Sequence, residues 1–220
     1  MDIADLMPSI KKLIAYDYKD IKSPLYENII TEILVGVHPT PKPQLIQVGG
    51  IPGAGKSTFC RQMQFPGAIY LSFDEVMESI PDYRRDIYVL GGAEAFMKWE
   101  MPARVVGYEV LRRAVIRKLN IFFEHSGVND AHIELFKNVK LLGYKTEVDY
   151  ILCNTQVAYK RTLIREKATR RHTPKELIEQ RAALIDKYIG QYKKIADKTF
   201  IYDSTTSELI LKERDFTAYY

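Results

Sequence analysis

Gly50, Gly55, Lys56 and Ser57 stand at the G-x-x-x-x-G-K-[ST] spacing inside Q-L-I-Q-V-G-G-I-P-G-A-G-K-S-T-F, residues 44–59. That spacing is the signature of a phosphate-binding loop, and the residue types explain why. Glycines at 49, 50, 53 and 55 tolerate positive φ and carry no Cβ, so backbone N–H groups can turn inward around phosphate oxygens. A helix beginning near Lys56 adds partial positive charge at the same place. The Lys56 ammonium would reach the β- and γ-phosphates, and the Ser57 hydroxyl suits a magnesium shell. Gly50, Pro52, Gly53, Ala54, Gly55, Lys56, Ser57 and Thr58 are the candidate nucleotide-binding residues, with ATP and Mg²⁺ the implied ligands and Ser57 the candidate metal ligand. The apolar run before the loop and the helix expected after it supply the context that the motif requires.

Further candidates stand where other apolar runs end. Asp74 follows A-I-Y-L-S (68–72), where a carboxylate can take a proton from an attacking hydroxyl. Glu75 is the fallback, and a helix cap from Ser72 is the structural alternative. Glu124 ends I-F-F-E (121–124) and could orient magnesium through water or hold an acceptor hydroxyl. Ser126 stands beside it; His125, lacking a second ligand at metal spacing, reads as structural or substrate-facing. After T-E-V-D-Y-I-L comes a basic helix with Arg161 and Arg165, then Arg170 and Arg171 in a loop. Such a helix–loop–helix resembles a kinase lid, with Arg165 and Arg171 neutralising phosphoryl charge, although a solvated basic face is the ordinary fate of a charge run. Between Tyr83 and Tyr108, aromatic and charged residues including Glu100 and Arg104 suit recognition of an acceptor.

These residues call for elements that bring them together. Strands are expected at 45–49, 68–72, 121–124, 146–152 and 200–202, with a short last one at 208–212. Helices are expected at 56–63, 74–79, 93–118 (kinked or divided at Pro102), 131–142, 156–167 and 174–196, the last opened by a Thr173…Glu176 capping box. Residues 81–92 read as irregular. Strands alternating with helices imply an α/β fold of the P-loop NTPase type, a parallel sheet of about five strands covered on both faces, with ligands at the carboxyl ends of the strands. Residues 1–40 form a short N-terminal helical extension ending in the stiff His38-Pro39-Thr40-Pro41-Lys42-Pro43 connector, and residues 41–220 the kinase-like domain.

The 220 residues carry 32 Lys and Arg against 28 Asp and Glu, a net charge of +4. That mild excess suits anionic ligands but gives little support to a nucleic-acid groove. Two separated cysteines imply no disulfide framework or metal site and point to a reduced, cytoplasmic setting. No apolar run reaches the roughly 20 residues of a membrane helix, and no secretory signal is expected. The absence of Asn-Lys-x-Asp disfavours a guanine-specific switch GTPase.

The order of parts over residues 44–203 resembles the zeta-toxin group of small P-loop kinases. The resemblance rests on Gly49-Gly50-Ile51-Pro52-Gly53-Ala54-Gly55-Lys56-Ser57-Thr58, on Asp74, on Glu124-x-Ser126-Gly127, and on Arg165 with Arg171-x-Thr173-Pro174-Lys175. It differs at His125, where the family carries glycine, and at Val128, where members often carry arginine. The resemblance implies ATP-dependent phosphoryl transfer to a hydroxyl of a small molecule, an amino sugar on uridine diphosphate in the toxins themselves. It implies Lys56 and Ser57 at phosphates and magnesium, Asp74 as base, Glu124 and Ser126 at the acceptor, and Arg165 and Arg171 clamping phosphates. It also raises an inhibitory, antitoxin-like partner. Two alternatives share these motifs: a polynucleotide or RNA kinase, and a nucleotide-gated ATPase binding module.

Overall fold

The computed structural model describes residues 1–14, 23–63, 65–206 and 208–216. It begins with α1 (Ile3–Leu6), a 3₁₀ turn (Pro8–Lys12) and α2 (Pro24–Leu34), then β1 (Gln44–Gly49), α3 (Lys56–Met63), β2 (Ala68–Ser72), α4 (Phe73–Ser79) and α5 (Pro81–Val89). The long α6 (Gly92–Ile116) leads to β3 (Asn120–Glu124), α7 (Asp130–Leu141), β4 (Lys145–Leu152) and α8 (Thr155–Thr169). Last come α9 (Lys175–Ala182), α10 (Ile185–Ile195), β5 (Lys198–Asp203) and β6 (Ile210–Phe216).

The fold is α/β with a mostly parallel sheet of order β2-β3-β1-β4-β5-β6. The apolar composition of the inner strands dictates their place: Leu45, Val48, Ile121, Phe123, Val148 and Tyr150 are all buried, as strands covered on both faces must be. β1 lies between β3 and β4 and runs parallel to both, so the chain leaves it at the position where strand order reverses. Ser72 pairs in register with Glu124, and Val48 with Glu124 from the other side. That register brings the ends of β1, β2 and β3 to one edge.

Several expectations are corrected. Residues 81–92 are not irregular: Pro81 occupies the first turn of α5, and Tyr83, Asp86 and Ile87 turn inward at helical spacing. Buried Asp86 is held by Lys98 Nζ at 2.7 Å and Trp99 Nε1 at 2.9 Å, so an acid occupies what would otherwise be an apolar position. Pro102 does not divide α6, which runs unbroken through 25 residues. The expected helix from 174 to 196 is two helices that turn at Ala183-Leu184, letting Ile185, Tyr188, Ile189 and Tyr192 bury together. No capping box forms at Thr173; α9 starts at Lys175, after Pro174. The last strand is longer than expected and antiparallel to β5.

In the N-terminal segment, Asp2 and Asp5 cap α1 reciprocally, and Ser23 with Pro24 opens α2. Ile3, Leu6, Met7 and Ile10 bury into the same hydrophobic cluster as the sheet. Ser9 donates from its backbone N–H (2.7 Å) and its hydroxyl (2.6 Å) to Glu134 on α7. Residues 15–22, which join the two halves of the expected extension, lie outside the described residues.

Candidate active site

A cavity of about 300 Å³ opens at the carboxyl edge of the sheet, walled by the phosphate loop, α4, α6, the turn after β3, α8 and α9. The loop owes its shape to glycine. Gly53 has φ +82°, and a Cβ there would lie 2.2 Å from the Ala158 carbonyl oxygen, so any other residue is excluded by backbone and by space. Pro52, Gly53, Gly55, Lys56, Ser57 and Thr58 face the cavity. Gly50 and Ala54 do not. The Gly50 N–H donates to the Ser126 carbonyl at 3.3 Å, and Ala54 is fully buried with its carbonyl accepting from Ser204 Oγ at 2.7 Å. Both shape the loop from behind.

Lys56 Nζ folds onto the Ile51 carbonyl at 3.1 Å. Burial holds its pKa below the ordinary range, opposed by the charges of Glu124 and Asp74. Ser57 Oγ donates to Glu124 Oε1 at 2.9 Å, and Tyr70 Oη donates to Glu124 Oε2. Both carboxylate oxygens of buried Glu124 are therefore engaged, and Oε1 stands beside the candidate metal ligand. Among the described residues no group of three or more His, Cys, Asp and Glu is placed to hold a metal. The donor set instead suits a hydroxyl-bound magnesium shared with phosphate oxygens and water, and Ser57 and Glu124 are the residues that would orient it.

Asp74 lines the cavity from the first turn of α4, whereas Glu75 is exposed and does not. Ser72 occupies the N-cap position but makes no side-chain cap bond, so the alternative of a simple cap is not what these residues do. Asp74 Oδ2 pairs with Arg171 Nη2, and Arg171 Nη1 stands 3.5 Å from Glu78. Arg165 Nη2 donates to Thr173 Oγ1 at 2.6 Å, which is the bond Thr173 makes in place of a cap. Burial lowers the pKa of Arg165, and neighbouring Arg171 lowers it further. Arg161 is tied to the Ser204 carbonyl at 2.8 Å and the Thr206 carbonyl at 3.0 Å, fastening α8 to the chain after β5. Arg170 takes a left-handed conformation and lays its guanidinium over Tyr88, and its carbonyl sits against Gly92 at the start of α6.

On the far side, Glu100 and Arg104 form an ion pair one helical turn apart, both lining the cavity with His125 and Ser126. His125 Nδ1 accepts from the Gly127 N–H at 3.2 Å, and its ring stacks on Phe123 and meets Phe73 edge-on. Burial, then the neighbouring His132, keeps the His125 pKa far below the usual imidazole value, so the ring is neutral. Gly127 has φ +73°, and a Cβ there would strike Gln47 Nε2 at 2.5 Å, which fixes glycine in this turn. The Ser126 carbonyl accepts from Tyr150 Oη at 3.0 Å, joining the turn to β4.

The cavity thus gathers Lys56, Ser57, Asp74, Glu100, Arg104, Glu124, Ser126, Arg165 and Arg171. Sequence reasoning missed Arg181, which lines the same cavity from α9. The signal for it was present: Leu177, which also lines the cavity, and Arg181 stand four residues apart and share a helix face. It also missed Tyr70, two residues from Ser72 on β2 and hence on the same side of that strand.

A family model described as Zeta toxin matches residues 28–215. No curated protein sequence matches the chain. Among solved structures, the fold is similar to one from the PezAT chromosomal toxin–antitoxin system of Streptococcus pneumoniae, at 19% identity and a TM-score of 0.62, covering 86% of this chain and 80% of that one. It is also similar to the AvrRxo1-ORF1:-ORF2 structure with ATP, at 11% identity and a TM-score of 0.59, covering 88% and 68% respectively.

Proposed function

Because the chain belongs to the zeta-toxin family, we propose that it is an ATP- and Mg²⁺-dependent kinase transferring the γ-phosphate to a hydroxyl of a small molecule, with a UDP-linked amino sugar as the first acceptor to test. The observation that carries this reading is the convergence of the phosphate loop, Asp74 and Arg171 on one cavity.

In this reading the loop amides and Lys56 hold the phosphate tail, while Arg165 and Arg171 close over it from the lid. The Asp74 carboxylate accepts the proton of the acceptor hydroxyl. Its present partner Arg171 must exchange that carboxylate for phosphate oxygens, so filling of the nucleotide half releases the base. Magnesium, when bound, neutralises phosphate charge; Ser57 and Glu124 orient it. Glu124 and Ser126 border the acceptor, and Glu100 and Arg104 form its outer wall. An inhibitory protein partner and a cytoplasmic setting complete the proposal, supported by family membership and by free thiols at Cys60 and Cys153. Among the described residues no helix is long and apolar enough to cross a membrane.

Transfer of label from [γ-³²P]ATP to UDP-N-acetylglucosamine and to a metabolite extract, with products identified by mass spectrometry, tests the proposal. Asp74→Asn is expected to lose about 10²–10⁴ in turnover and to keep ATP affinity within a few-fold. Label released only as inorganic phosphate in every reaction would overturn it.

A further inference from the structure

Seven Lys and Arg residues and three carboxylates line the cavity. Among them stands one uncharged ring, His125, whose polar edge the kinase chemistry leaves unused. Its backbone is fixed to the strand that carries the phosphate loop. The His125 N–H donates to the Val48 carbonyl at 3.2 Å, and the Gly50 N–H donates to the carbonyl of the next residue, Ser126, at 3.3 Å. The ring is clamped on three sides. Phe123 stacks on it with centroids 5.7 Å apart, Phe73 meets it edge-on at 5.4 Å, and buried His132 meets it edge-on at 4.3 Å. Phe73 directly precedes Asp74, so the ring packs beside the residue that leads into the proposed base.

The tautomer follows from the partners of Nδ1. A backbone N–H can only donate, and that of Gly127 points at Nδ1 from 3.2 Å, with the Ser126 hydroxyl 3.4 Å away. Nδ1 therefore carries no proton, and the one ring hydrogen on nitrogen is on Nε2. Nε2 bonds to no described residue. It is nevertheless not one of the buried polar atoms without a partner, as Nδ1 of His132 is. On a half-buried side chain of the cavity wall, Nε2 is the polar atom left facing the opening.

We infer that His125 is a specificity-determining residue, a rigidly held Nε2–H that donates to an uncharged oxygen of the phosphate acceptor beside the hydroxyl that reacts. A group that donates and cannot accept selects for an oxygen at that place and against an amine or a methyl group, because a desolvated N–H left without a partner is costly. The inference rests on the kinase reading for the word acceptor, but the donor itself can be judged without turnover.

The test crosses two variants of the full chain. An asparagine amide oxygen reaches the place of Nδ1 and keeps the bond to Gly127, but leaves nothing at Nε2. A glutamine amide nitrogen reaches the place of Nε2 and gives up the bond to Gly127. Acceptor kinetics are measured with UDP-N-acetylglucosamine, or with the compound that becomes labelled in the metabolite extract. His125→Asn is expected to lower kcat/KM for the acceptor about tenfold or more with KM for ATP unchanged, and His125→Gln to recover most of that loss. The reverse order would make the ring a support for the turn and overturn the inference. Parent-like kinetics in His125→Asn, an equal loss in both variants, or a matching rise in KM for ATP would overturn it as well. Separately, the ¹⁵N spectrum of histidine-labelled protein at neutral pH, with His125 assigned by its absence from His125→Gln, should show the Nε2–H tautomer. A proton on Nδ1, or on both nitrogens, would overturn the inference whether or not any acceptor turns over. No turnover on any acceptor with the Nε2–H tautomer present sinks the kinase reading alone; turnover with the other tautomer sinks the inference alone.

Discussion

At the scale of single residues, buried Asp149 on β4 stands apart from the cavity chemistry. Neither of its carboxylate oxygens has a partner among the described residues. Burial, with repulsion from Glu147 and against the attraction of Lys198, pushes its pKa up to about 8. The sign follows directly. Below pH ~4 the acid is protonated whether the chain is folded or not, and its titration contributes nothing. Between about 4 and 8 only the unfolded chain ionises it, so folding stability falls by about 1.4 kcal/mol per pH unit, and above 8 the loss is complete. Asp149→Asn removes the titration. Its urea stability minus that of the parent should therefore climb from pH 4 to pH 8 and level off above; a difference flat in pH would refute this account. Nothing in the sequence distinguished this acid from Glu147 two residues earlier, because the burial separating them is tertiary. Lys56, Ser57 and Asp74 were legible for the opposite reason. Local backbone chemistry fixes the loop, and the end of an apolar run fixes the Asp. Arg181 required knowing that α9 folds back over the cavity.

At the scale of elements, the seating of the loop between α8 and α9 can be tested without touching a charged group. A Cβ on Gly92 would lie 2.0 Å from the Arg170 carbonyl oxygen, so Gly92→Ala wedges the Arg170–His172 loop away from α6. Tryptic cleavage after Arg170 or Arg171 should accelerate several-fold, and kcat should fall more than ATP affinity, with global unfolding little changed. Protection equal to the parent's would show that the loop does not rest on this seat. The elements that sequence patterning missed share a cause. α5 hides its inward face behind an aspartate that Lys98 and Trp99 satisfy, and the turn between α9 and α10 contains neither glycine nor proline. Thr173 looked like a cap because capping is its commonest local use, but Arg165, eight residues away, claims its hydroxyl. The strands were easier, since short apolar runs between helices leave little choice in an α/β chain.

At the scale of the molecule, one hydrophobic cluster runs from the sheet into the N-terminal helix. Leu6→Ala should cost about 2–5 kcal/mol in urea unfolding, as cavities in a packed core do, while nucleotide affinity in the folded protein stays the same. A loss near zero would mean that α1 does not contribute to the common core.

The uneven lining of the cavity has a kinetic consequence as well. Seven cations around one opening project a field that draws polyanions inward before contact. Stopped-flow capture of a fluorescent ATP analogue should slow as sodium chloride rises and the Debye length shrinks from about 10 Å at 0.1 M to about 3 Å at 1 M, with the departure rate far less affected. The mouth of this protein works as a funnel whose reach is set by the ionic strength outside it.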